Sequence, residues 1–163
     1  MVMAETRRIS DLMTRVIEGD PWHAGNVMDL LADLTVAEAK AKPVRGGHSI
    51  WQIVLHLTGW ANEVSARVEG KAAGTPVKGD WPAVGAATAA GWSSAKEGLA
   101  RAYQHLNDVV SALPDRDLNQ PVLDRRNNVL GTGLSRYLTI HGAIHHGVYH
   151  AGQIALLKRA LRS

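Results

Sequence analysis

Histidine carries most of the reactive potential of this chain. Eight are present, and four of them, His141, His145, His146 and His150, fall within ten residues. On a helix, side chains four apart share a face with Cβ atoms about 6 Å apart, so two imidazoles at that spacing can reach one ion. His141 with His145 and His146 with His150 both have this spacing. Neutral imidazole is a good ligand for zinc, nickel, iron or copper near pH 7. A third ligand has to come from elsewhere, and His56 is the natural candidate. It recurs with Ile53, Leu57, Trp60 and Val64 in one apolar stripe, where a lone ring needs partners for its nitrogens. A single HxxxH spacing also arises by chance, and most isolated histidines are surface or satisfied core residues. Periodicity does not choose between the two pairs, since both faces of the segment carry apolar neighbours.

What is missing narrows the chemistry further. The chain has no cysteine, which removes disulfides, thiolate nucleophiles, zinc fingers and iron-sulfur ligation. A metal must be held by nitrogen or oxygen, and an activated thiol would have to arrive as a separate molecule. No glutamate stands in an HExxH arrangement beside either pair, so the sequence names no general base.

These histidines need elements to position them. Thr6 to Glu18 repeats apolar residues at Ile9, Leu12, Met13, Val16 and Ile17, the spacing of an amphipathic helix, and Gly19-Asp20-Pro21 stops it. A second helical stretch runs from Gly25 to Leu34. Thr35-Val-Ala-Glu38 has the form of a capping box opening a short turn that Lys42-Pro43 and Gly46-Gly47 end. These pieces read as a bent N-terminal helical arm. His48 or Ser49 can cap a long helix through Glu69, which places His56 inside an apolar stripe. Gly70 to Gly91, with Gly74, Pro76, Gly79, Pro82 and Gly85, reads as a loop long enough to matter for function. Helical period resumes from Trp92 to Leu113, Pro114 closes it, and a polar connection runs from Asp115 to Asn128. From Gly133 or Leu134 to Leu161 the chain has no proline and keeps helical spacing, so the last helix is the longest. Four long helices imply an all-α fold, a four-helix bundle with a bent arm, forming one domain over residues 1–163.

Composition agrees with a soluble, folded chain of 163 residues, 45% hydrophobic and 20% charged. The net charge of +3 is spread in small groups: Arg7 with Arg8, Arg125 with Arg126, and Lys158 with Arg159 and Arg162. Nucleic-acid binding calls for a concentrated basic face with interleaved aromatics, so no nucleic-acid partner is expected. No apolar run is long enough to span a bilayer, and Met1 to Asp20 lacks the apolar core of a signal peptide, which makes a cytoplasmic location the default and excludes a membrane partner. The aromatic set, five Trp and three Tyr without Phe, carries no function by itself.

The segment His146-Gly-Val-Tyr-His150-Ala-Gly-Gln153, followed by Ile154, Leu156 and Leu157, closely resembles the signature of the DinB/YfiT-like superfamily. There a histidine four residues before the one in a His-Arg-Gly-Gln-like motif completes a ligand pair. The first ligand of that family lies in a segment similar to His48-Ser-Ile-Trp-Gln-Ile-Val-Leu-His56-Leu, and Pro21-Trp22-His23 is similar to one DinB branch. The resemblance covers nearly the whole chain. It implies a DinB-like bundle in which His56, His146 and His150 bind one divalent ion, zinc or nickel first, while His141 and His145 do not. Ala151 departs from the pattern, since many members have arginine there. Some members are thiol S-transferases using low-molecular-weight thiols such as bacillithiol or mycothiol; others are metal-dependent hydrolases or have no assigned activity. The resemblance therefore implies a small-molecule substrate, with a low-molecular-weight thiol as co-substrate, and it is compatible with a homodimer. A hydrolase, or a non-catalytic metal or small-molecule binding module, is the alternative. Trp22, His23 and Gln153 are the further candidates to line the site. Trp22 near a helix start is also a common packing anchor. Trp60 and Tyr149 read as packing residues, and His48 as a cap.

Overall fold

The computed structural model describes residues 3–22, 25–123 and 134–163. His23, the Arg125 and Arg126 pair, and Gly133 lie outside the described residues. Among the described residues six α-helices appear in chain order: α1 Glu5–Ile17, α2 Val27–Ala32, α3 Val36–Lys40, α4 Ile50–Val68, α5 Ala89–Ala112 and α6 Arg136–Arg162. A 3₁₀ turn, Asp115–Asp117, follows α5, and no strand occurs among the described residues.

The helix starts follow from their caps. Asn26 accepts from the Asp29 amide at α2, and Thr35 with Glu38 closes a full capping box at α3. At α4 the cap is Ser49 rather than His48. Its hydroxyl accepts from the Gln52 amide, and the Gln52 side chain reaches back to the Ser49 amide. Thr88 accepts from Gly91 N–H and starts α5 three residues earlier than the first strongly apolar position, Trp92. Ser135 caps α6, whose 27 residues make it the longest helix.

The four long helices pack as a bundle. α4 lies against α5 and α6, and α1 lies against the same two from the opposite side. Their shared core includes Ile9, Met13, Ile53, Leu57, Leu99, Leu106, Ile140 and Ile154, each almost wholly excluded from water. The short arm of α2 and α3 folds back onto the bundle. Trp92, buried on α5, donates its indole N–H to the Leu34 carbonyl at 3.2 Å, and Lys158 and Arg162 at the end of α6 pair with Asp33 and Glu38. No helix among the described residues is long and apolar enough to cross a membrane.

α4 and α6 carry the histidines, and the loop of residues 69–88 crosses α4 between them and the start of α5. Its close passage is marked at Gly59, where a Cβ would sit 3.0 Å from Pro76. The loop is tied down farther along by Glu63 and Arg67, an ion pair at 2.9 Å whose members also bond the Gly74 amide and carbonyl.

Candidate metal centre

His56 faces inward from α4, and His146 and His150 face it from α6. The three ring centroids lie 4.8, 4.9 and 4.5 Å apart. His146 Nε2 is the hub, 2.9 Å from His56 Nε2 and 3.0 Å from His150 Nε2. Among the described residues this is the one group of three histidine or acidic side chains whose donor atoms converge, all within 4.8 Å. His56 and His150 are buried, at 5% and 3% exposure, and His146 is half-buried.

The far sides of two rings fix what their near sides present. His56 Nδ1 lies 2.6 Å from the Asp80 carbonyl oxygen, an acceptor, so Nδ1 carries the proton and Nε2 offers a lone pair. His150 Nδ1 lies 2.7 Å from Gln153 Oε1, with the same consequence. His146 Nε2 can carry at most one proton, yet two lone pairs face it. At least one buried nitrogen therefore stays unsatisfied unless a cation sits among the three. Ligand nitrogens around tetrahedral zinc are about 3.3 Å apart, so the two contacts to His146 would open by only a few tenths of an ångström.

Protonation does not compete with this use near neutrality. Burial first, then the neighbouring imidazoles of His150 and His56, hold His146 down to about 4. Burial also holds His150 down to about 4, against the raising effect of its hydrogen bond to Gln153. Both are neutral at pH 7, the form in which an imidazole can bind a metal.

Two residues that the sequence did not single out complete the site. Asp80 supplies the carbonyl to His56, and its carboxylate takes the Trp60 indole N–H at 2.7 Å. Trp81 is sandwiched between imidazoles, stacked on His48 at 3.5 Å and on His56 at 3.9 Å. Both belong to the glycine- and proline-rich loop, and a tryptophan stranded among breakers was the available signal. Trp60 is thus partly exposed and fixed by Asp80, instead of being a core residue.

The other candidates fall in different places. Gln153 touches the site through His150. Trp22 is 95% exposed, at φ 66° in a bend, and its ring stacks on none of His56, His146 and His150. Tyr149 lies on the outer face, 63% exposed, with its ring 5.0 Å from His150; it is no packing residue. His141 stands beside Tyr137, and His145 beside His141, outside the cluster. His48 stacks on Trp81 and is not the cap.

A cleft of about 350 Å³ between α4 and α6 reaches His146 and is walled by Trp60, Val64 and Leu138 among others. A larger cavity, about 820 Å³, lies under the loop of residues 76–88, bounded by Leu55, Gly59 and Ala95, and no histidine lines it. A family model described as the DinB superfamily matches residues 22–154. No curated protein and no solved structure gives a match.

Proposed function

The chain belongs to the DinB superfamily, and from that premise we propose that it is a metal-dependent enzyme, a low-molecular-weight-thiol S-transferase. Its divalent ion, zinc or nickel, is held by His56, His146 and His150. The observation that carries this reading is the convergence of three Nε2 atoms, two of them with their lone pairs fixed inward by Asp80 and Gln153. Three protein ligands are typical of catalytic zinc sites, where a further position is left for a reactant. A bound ion would supply Lewis acidity, favouring the thiolate form of a thiol brought to it.

The protein's own groups do the rest. The Asp80 carbonyl and Gln153 hold two rings in the ligating tautomer, and Trp81 covers one face of His56. Because the chain has no cysteine, the sulfur must come with a small molecule. The cleft beside His146 gives the electrophile a largely apolar seat next to the three rings.

Elemental analysis of tag-free protein should give about one ion per chain, and none in a His146→Ala, His150→Ala variant. The loaded protein should then conjugate small thiols to at least one of several electrophiles at a rate well above a His150→Ala control. Conjugation no faster than that control would sink the transferase reading. Thiol-independent turnover would identify a hydrolase instead. Tight metal binding without turnover or an exchangeable water, read after cobalt substitution, would leave a binding module.

A further inference from the structure

We propose that α6 pairs antiparallel with the α6 of a second copy of this chain, about a twofold axis at Gly147, and that the second copy roofs the cleft beside His146. From Tyr137 to Leu157 the helix contains no Asp, Glu, Lys or Arg. To solvent it offers Leu138, Gly142, His145, Tyr149, Gly152 and Leu156, spaced alternately four and three apart, the seam spacing of paired helices. Leu138, Tyr149 and Leu156 are large, yet 55, 63 and 65% exposed. The solvent faces of two other long helices differ: α1 presents Arg7, Arg8, Asp11 and Arg15 there, and α5 presents Glu97, Arg101 and Asp108. A helix without a charged face is ordinarily a covered one, and among the described residues nothing covers this stripe.

The order of residues along the stripe identifies the occupant. Counted from Gly147, Leu138 and Leu156 are each nine positions away, Gly142 and Gly152 five, and His145 and Tyr149 two. Two antiparallel copies centred on Gly147 therefore set leucine against leucine at both ends, glycine against glycine inside them, and imidazole against phenol in the middle. Each contact is made twice, as a twofold axis demands, and an unrelated partner has no use for that symmetry. The glycines let the two backbones approach. Apart from the helix's own backbone, nothing lies within 4 Å of a Cβ placed at Gly142 or Gly152, so packing within one copy does not demand glycine at either, although glycine weakens a helix interior. The stripe also reaches the cleft, which Leu138 and Gly142 line together with His146. In this register Leu156 and Gly152 of the second copy lie over them, so the seat closes only in the pair.

That the roofed cleft seats an electrophile rests on the transferase reading; the pairing itself does not. The test therefore uses the tag-free, metal-free full chain with a chelator present, so that ions bridging surface histidines play no part. Sedimentation equilibrium should give twice the mass of one chain. Gly152→Glu puts a charge at the close approach while replacing glycine by a better helix former; it should give the mass of one chain, with helix content by circular dichroism retained. Because the chain has no cysteine, the register can be read by single-cysteine variants. In the antiparallel pair Leu138 faces Leu156, and the two copies of Leu138 stand about 27 Å apart along the helix. Leu138→Cys mixed with Leu156→Cys should oxidise with diamide to a covalent dimer, whereas neither should do so alone. Roofing of the cleft further requires the Leu138→Cys thiol to react with a maleimide severalfold more slowly than the same thiol in a Gly152→Glu background. A monomeric parent, a dimeric Gly152→Glu, cross-linking of either cysteine variant alone, or equal maleimide rates would each overturn the proposal. Loss of metal uptake or of thiol conjugation with the pairing intact would instead remove the enzymatic reading alone.

Discussion

Replacing Gln153 by leucine tests whether the site is organised by the groups behind the ligands. In the parent, Gln153 Oε1 sits 2.7 Å from His150 Nδ1 and so turns the Nε2 lone pair toward the centre of the cluster, 3.0 Å from His146 Nε2. Leucine keeps much of the volume but accepts no hydrogen bond, so the ring must select its tautomer and orientation unaided on binding. Loss of such a partner typically weakens metal affinity about 10- to 100-fold, or roughly 1.4 to 2.7 kcal/mol. Proton competition contributes nothing at pH 7.5, because His150, held at about 4, is neutral there. Zinc competition against a chromophoric chelator at that pH should therefore show a dissociation constant raised at least tenfold. Gln153→Glu, which keeps an acceptor and adds charge, should restore or exceed parental affinity. The partly exposed position makes a thermal shift beyond about 0.5 kcal/mol unexpected in the metal-free variant. An affinity within threefold of the parent for Gln153→Leu would refute the reasoning and assign the ring's orientation to packing alone.

His146 and His150 are held at about 4 against an ordinary 6.5, so as pH falls through that window the unfolded chain takes up protons that the folded chain refuses. Urea midpoints of metal-free protein should decline from pH 6.5 to 4, and the His146→Ala, His150→Ala variant should lose most of that slope. Arg67→Met strands the Glu63 carboxylate, whose side chain is 13% exposed, and should cost about 3 kcal/mol in chemical denaturation; adding Glu63→Leu should recover a large part. Trp81→Ala takes away the ring clamped between His48 and His56 and should weaken zinc binding about tenfold, because the His56 imidazole loses the stacked face that holds its orientation, as read in the same chelator competition.

Much of the architecture is legible in the sequence. The 3.6-residue period of the apolar positions, with Thr35, Ser49 and Pro114 as punctuation, located the arm and the long helices, because amphipathic spacing and capping are local properties. The early start of α5 escaped because Ala89, Ala90 and Gly91 carry no hydrophobic period, and only the Thr88 cap marks the boundary. Trp22 was misleading for a similar reason: a large aromatic near a helix start suggests burial, yet a turn carries it into solvent.

For the histidines, sequence alone determined that two pairs lie on helical faces, since i to i+4 geometry is fixed by the backbone. Resemblance to a family, and not periodicity, favoured His146 with His150 over His141 with His145. Only the tertiary structure decided the matter physically. α6 has apolar residues on more than one face, so its rotation about its own axis is set by packing against α4 and α1. That rotation turns His146 and His150 toward His56 and leaves the other pair outside. The route of the breaker-rich loop was equally invisible in one dimension. It brings Asp80 and Trp81 to His56 across 24 and 25 positions of sequence, a contact that depends on where a loop lies over a helix, which no local rule encodes.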